Sequence, residues 1–216
     1  MSIKEIGPFG LQKEPSFAQD RARRTYHALL EAAAEVFVAK GFDATQTPDI
    51  AAAAGVSVGT FYRYFNDKRE IFLEILRRNL NRSHNEVLSG LTADRFVGAG
   101  RRGTIERTIE VLIENITRSP GMQKLFLELS LRDPQVAALK RAFDDEGRRR
   151  VAALIAAICP ADQVADPEAT AYMIHTAAVE CALRIAGAHG APPVPRDRAV
   201  AALTELVYRA LFGIEL

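Results

Sequence analysis

Apolar residues recur at intervals of three and four along nearly the whole chain, the period of helices that bury one face. From Asp20 to Lys40 the stripe is Tyr26, Leu29, Leu30, Ala33, Val36 and Phe37, and Gly41 reads as its C-terminal cap. Thr47 reads as the N-cap of a short second helix, with Pro48 at its first position, Asp49 in its first turn and an end by Gly55. Ser57 caps a third helix reaching Tyr64, and Asp67 opens a longer fourth with Ile71, Phe72, Ile75, Leu76 and Leu80 on its apolar face. Beyond a glycine-containing link, "FVGAGRRG", the stripes continue. Ile105, Ile109, Leu112, Ile113 and Ile116 mark a helix stopped by Ser119-Pro120, and Met122, Leu125, Phe126 and Leu129 mark the next. Asp133-Pro134 starts a long helix that stops before Pro160. Asp166-Pro167 repeats that start for a helix reaching about Ala188. After the stiff connector "APPVP" a last helix carries Val200, Leu203, Leu206, Val207, Ala210 and Leu211. The expectation is an all-α chain of about nine helices with no strand.

One window departs from ordinary amphipathic helices. "DIAAAAGVSVGTFYRYFNDKREIF", Asp49 to Phe72, sets four alanines and a glycine before Phe61, Tyr62, Tyr64 and Phe65. Two short helices joined by a tight glycine turn form a helix-turn-helix. Small residues at Ala51 and Ala54 let the two axes approach, and Gly55 can take the positive φ of the turn. A compact helical hairpin with no further role would use alanine and glycine in the same way. Phe61 and Phe65, four apart, share a face and point to the core. Tyr62 and Tyr64 lie on other sides, where a phenol tip can bond phosphate oxygens or base edges. Gly59 and Thr60 are small enough to bring the backbone close to a duplex. The other reading of the two tyrosines is as core residues.

Composition narrows the classes. The 216 residues are 48% hydrophobic and 25% charged, enough for a sizeable core and unlike a disordered chain. The net charge of +1 excludes a globally basic polymer binder, so a nucleic-acid signal has to be local. Cys159 and Cys181 form no CxxC pair, which argues against a disulfide framework or structural zinc and fits a reducing cytoplasm. No apolar run approaches the roughly 18 residues of a membrane helix. Residues 1–18, with Lys4, Glu5, Lys13 and Glu14, read as a disordered tail and not as a signal peptide. His27, His84, His175 and His189 show no metal-ligand spacing, and GxSxG, P-loop and GxGxxG patterns are missing. No catalytic residue, metal or cofactor is expected.

The segment "RTYHALLEAAAEVFVAKGFDATQTPDIAAAAGVSVGTFYRYFNDKREIFLEIL", Arg24 to Leu76, resembles the DNA-binding domain of the TetR (tetracycline-repressor) family of bacterial transcription regulators. The resemblance covers about a quarter of the chain and rests on "FVAKGFDAT", "DIAAAAGVSVGTFYRYF" and the "DK" pair. Gln46-Thr47-Pro48 departs mildly from the family's pattern. The resemblance implies a phosphate contact at Thr47, a recognition surface of Ser57, Gly59, Thr60, Tyr62 and Tyr64, and a DNA contact at Lys68. Arg63 lies on the recognition helix within reach of backbone or base, and Arg21, Arg23 and Arg24 add positive charge nearby. Those N-terminal arginines also suit a solvated helix start.

The resemblance places a helix-turn-helix domain at 19–66 and an effector-binding and dimerisation domain at 67–216. The alanine-rich stretch "EATAYMIHTAAVECALRIAGA" and the last helix would form a four-helix interface in a homodimer, through Val179, Ala182, Ile185, Leu203, Leu206 and Val207. The alternative is a hairpin buried within one subunit. Walls for an effector are expected from Leu112, Ile116, Met122, Phe126, Phe143 and Tyr172, with Asn115, Glu128, His175 and Glu180 as polar groups to orient it. His175 also suits a hydrogen-bonded core histidine, and Glu128 an ion pair with an arginine. The expected function is a cytoplasmic, homodimeric repressor released from a palindromic double-stranded operator by a small hydrophobic or amphipathic effector. The rivals are a DNA-binding regulator controlled by a protein partner or by nothing, and, remotely, a cofactor-free helical enzyme.

Overall fold

The computed structural model describes residues 20–96, 98–188, 190 and 192–213, so the tail 1–18 and His189 lie outside the described residues. Nine α-helices occur among them, and no strand: α1 Asp20–Lys40, α2 Thr47–Ala53, α3 Val58–Phe61, α4 Lys68–Val87, α5 Arg101–Thr117, α6 Pro120–Ser130, α7 Pro134–Ile158, α8 Pro167–Ile185 and α9 Arg196–Phe212. Three short 3₁₀ turns between Leu88 and Gly100 join α4 to α5.

Packing divides the chain into two compact units. The first holds the helices up to Asn81 together with Gly121–Lys140; the second holds Arg82–Pro120 and Arg141–Leu216. The limits read from the sequence, 19–66 and 67–216, followed the motifs instead of the packing. The differences are residues 67–81, most of α4, together with α6 and the first turns of α7: Ile71, Phe72, Met122, Leu125, Phe126, Leu129 and Val136 are buried in the first unit.

In the first unit, α1 packs on α2 and α2 on α3. Gly41 and Gly55 end α1 and the α2 turn with φ of +80° and +66°, a region closed to most side chains. Ile50, Ala51, Phe61 and Phe65 are buried beneath the motif. Phe72 meets Phe37 and Phe42 edge to face while Phe37 stacks on Phe42, with centroids 5.1–5.6 Å apart. Tyr26 Oη donates to Glu74 Oε1 at 3.0 Å, and Arg78 Nε donates to the same oxygen at 2.9 Å, which ties α1 to α4. Burial, with the Glu74 charge next, pushes the Tyr26 phenol far above its ordinary value. Asp133 accepts from the N–H groups of Gln135 and Val136, capping α7, and takes Arg69 at 2.7 Å.

In the second unit, α5 packs against both α8 and α9, and α8 against α9. Ile105, Ile109 and Ile113 of α5 meet Leu154, Ile155, Ala171, Ala182, Val200 and Leu203. Asp166 caps α8 by accepting from Ala169 N–H at 2.9 Å. Buried Glu146 on α7 takes Arg150 Nε at 2.8 Å and also pairs with Arg149. Its burial raises the carboxyl, but the two guanidiniums outweigh that and hold it below the ordinary glutamate value.

Candidate nucleic-acid interface and effector cavity

The α2–α3 motif presents a narrow exposed face. Ser57 Oγ accepts from Thr60 N–H at 3.1 Å and fixes the start of α3. Regular helix ends at Phe61, and tighter turns carry the chain on: Arg63 N–H reaches Thr60 O and Tyr64 N–H reaches Phe61 O. Phe61 is fully buried while Tyr62, its neighbour, is 55% exposed. Ser57, Val58, Gly59 and Arg63 are exposed around Tyr62; Thr60 and Tyr64 are half-buried, and Tyr64 sits 6.1 Å from the Tyr26 ring. A Cβ built on Gly59 would meet nothing nearer than Ser57 Oγ at 3.9 Å. The fold itself therefore does not require glycine there. Arg24 is exposed on α1.

Two expected contacts sit differently. Thr47 occupies the first helical position of α2, and the cap position belongs to Gln46. Asp49 satisfies the helix entry from inside: its carboxylate accepts Gln46 N–H at 2.9 Å and pairs with Lys40 at 2.7 Å. The Lys40 hydrogen bond holds the Asp49 carboxyl below the ordinary aspartate value. Lys68 does not extend a free ammonium. Its Nζ donates to Phe42 O at 2.9 Å, Asp43 O at 2.9 Å and Thr45 O at 2.8 Å, and lies 5.0 Å above the Phe42 ring. An ammonium has three donors, and all three are engaged by the α1–α2 loop.

A second feature lies within the second unit: a cavity of about 110 Å³. Its walls are Ser83 and Val87 of α4, Leu88, Leu91 and Phe96 of the connecting turns, and Ile105, Thr108, Ile109 and Leu112 of α5. Phe143, Gly147, Val151, Leu154 and Ile155 of α7, Ile174, His175, Ala178 and Val179 of α8, and Val207 and Leu211 of α9 complete them. Of the residues expected to hold an effector, Leu112, Phe143 and His175 line it. Ile116 packs against the core without reaching the cavity, and Met122 and Phe126 belong to the first unit's core. Asn115 donates to Glu86 at 2.5 Å, Glu128 pairs with Arg132 at 3.2 Å, and Glu180 with Arg184 at 2.8 Å. Tyr172 is exposed and borders an open groove beside Arg148 and Asp166. Periodicity found the apolar faces but could not say which met around a void. Gly147 carried a usable signal, because a mid-helix glycine marks a close approach.

The residues expected between subunits also separate. Ala182, Leu203 and Val207 are buried within the chain, Val179 lines the cavity, and Ile185 packs on the core. Leu206 faces outward at 56% exposure, as do Tyr172 and Met173 of α8. Among the described residues no group of His, Cys, Asp and Glu could hold a metal, and no helix is long and apolar enough to cross a membrane.

Curated relatives resemble this chain over part of their length. The HTH-type transcriptional activator FasR of Mycolicibacterium smegmatis is 32% identical over 111 residues, 51% of this chain and 49% of its own. The HTH-type transcriptional repressor BepR of Brucella suis is 29% identical over 123 residues, 57% of each. The chain thus spans about half the length of these relatives. Among solved structures, a TetR-family regulator of Mesorhizobium loti shares the fold at TM-score 0.68 and 21% identity, covering 88% of this chain and 98% of that one. A SmeT–triclosan complex does so at TM-score 0.67 and 19% identity, over 86% and 90%. Residues 29–75 match the bacterial regulatory proteins of the tetR family, and residues 102–211 match the tetracyclin repressor-like C-terminal domain. With both of its parts matched, the chain belongs to the TetR family of transcriptional regulators.

Proposed function

We propose that this protein is a homodimeric cytoplasmic repressor whose hold on a palindromic operator is released by a small apolar effector. The observation that carries the DNA half is the Ser57–Tyr64 face. It sets an exposed tyrosine, an exposed arginine and a glycine the fold does not need on one short helix. Two such helices in a dimer enter successive major grooves about 34–36 Å apart. Ser57, Gly59, Thr60, Tyr62, Arg63 and Tyr64 form the reading surface, with Arg24 and the α2 N-terminus at Thr47 on phosphate. Lys68 acts one step back, by holding the loop that aims α2.

The cavity supports the effector half, and the SmeT–triclosan complex lends the same fold to a small apolar ligand. The relatives comprise an activator and a repressor; release by ligand favours repression here. The outward side chains Met173 and Leu206 on the small-residue faces of α8 and α9 support those helices as the dimer seam. A regulator governed by a protein partner is the second reading, favoured by the nearly fully exposed Leu131 at the α6–α7 turn. Fluorescence anisotropy on an operator selected from genomic DNA tests the first. Tyr62→Ala and Arg63→Ala should each weaken binding at least about tenfold with an unchanged melting temperature; wild-type affinity in both would remove this face from the interface.

A further inference from the structure

Resting on the reading of the cavity as the effector site, we infer that the effector is an uncharged single ring, or a chain segment of that girth, with one hydrogen-bonding group anchored by His175.

An engineered apolar cavity of about 150 Å³ holds one benzene ring. The cavity here is about 110 Å³, so a single ring or a short aliphatic segment is what its walls admit with small adjustments.

No Asp, Glu, Lys or Arg side chain lines the cavity; its polar side chains are Ser83, Thr108 and His175. A charged group taken into such walls would lose its hydration without a partner, which costs far more than a neutral polar group does. A carboxylate beside His175 would also meet Asp144, whose Oδ1 stands 3.9 Å from Nε2.

The His175 ring lies over Gly147, so closely that a Cβ there would come within 2.6 Å of Cε1. The missing Cβ at Gly147 is what leaves room for the imidazole against α7. Nε2 is closed off from solvent and makes no hydrogen bond, since 3.9 Å to Asp144 is too long for one. A buried polar atom in that state gains from any partner of suitable geometry, and an imidazole nitrogen can donate or accept according to its tautomer. A hydroxyl or carbonyl on the ligand supplies that partner once the ring turns Nε2 toward the cavity, from whose space it is closed off as it stands. Thr108 Oγ1 already donates to Thr104 O at 2.8 Å within its own helix, so toward a ligand it can only accept.

Four single-ring probes separate the parts of this inference: phenol, toluene, benzoate and benzylamine. Binding to the full chain is read by calorimetry, and operator release separately by anisotropy. Phenol should bind best and toluene more weakly, with neither ion binding. His175→Leu should weaken phenol about tenfold and leave toluene within about threefold, and His175→Gln should restore part of the phenol affinity. Ala178→Phe, which fills the cavity, should abolish binding of every ring. Benzoate or benzylamine binding as tightly as phenol would overturn the uncharged class, and an equal loss of phenol and toluene in His175→Leu would overturn the anchor. Rings that bind in the cavity yet leave operator affinity unchanged would instead count against ligand gating and leave the ligand class standing.

Discussion

Lys68 shows how one side chain can be assigned to DNA by its position and to the fold by its bonds. Three carbonyls engage its ammonium, and removing it takes the donor from the part-buried carbonyls of Phe42 and Thr45. Hydrogen bonds to charged groups contribute more than neutral ones, so Lys68→Met should lower stability by about 2 kcal/mol in urea titration. The slope of log affinity against log salt should stay at its wild-type value; a drop of about one unit would return Lys68 to the phosphate backbone. His84 gives a pH test. Burial, with Arg150 next and Arg149 last, lowers its pKa against an opposing pull from Glu146. The unfolded chain then binds the proton more readily than the native one. Stability should be complete above the unfolded value of 6.5 and decline as pH falls below it. His84→Gln should flatten the urea midpoint between pH 7 and 5; an unchanged slope would clear His84 as its source.

At the scale of elements, two helix glycines make opposite demands. A Cβ on Gly121 of α6 would stand 2.5 Å from Val38 Cγ1, a β-branched side chain with one good helical rotamer. Gly121→Ala should therefore cost about 1–3 kcal/mol. On Gly147 the clash is with the far end of His175, which can swing away, and alanine adds about 1 kcal/mol of helix propensity. Gly147→Ala should melt within a few degrees of wild type while losing the preference for phenol over toluene. Equal destabilisation by both substitutions would mean that His175 is as fixed as Val38. The element boundaries were largely legible in sequence because their signals are local. Gly41, Gly55, Ser57, Asp67, Asp133 and Asp166 each act within four residues, and each sits where its chemistry requires. Thr47 was misread because the capping oxygen came from Asp49, inside the helix. Met122 and Phe126 were misplaced because an apolar stripe states that a face is buried, not which neighbour buries it.

At the scale of the whole molecule, α4 and α7 each contribute residues to both packing units. Helix α7 supplies five of the cavity's lining residues. Assembly is tested best at Leu206, which is exposed, and not at Leu203, whose 8% exposure means an aspartate there would unfold the chain. Leu206→Asp should give monomers on sedimentation and forfeit the roughly 10²–10⁴ gain of a linked second half-site; an unchanged dimer would move the seam elsewhere. The most direct test of the central claim is a hydroxyl-radical footprint on fragments selected from genomic DNA by the wild-type protein. Two protected half-sites about one helical turn apart are expected, related by a two-fold axis and lost together in Tyr62→Ala. No selected fragment, or one with protection that Tyr62→Ala leaves intact, would contradict it.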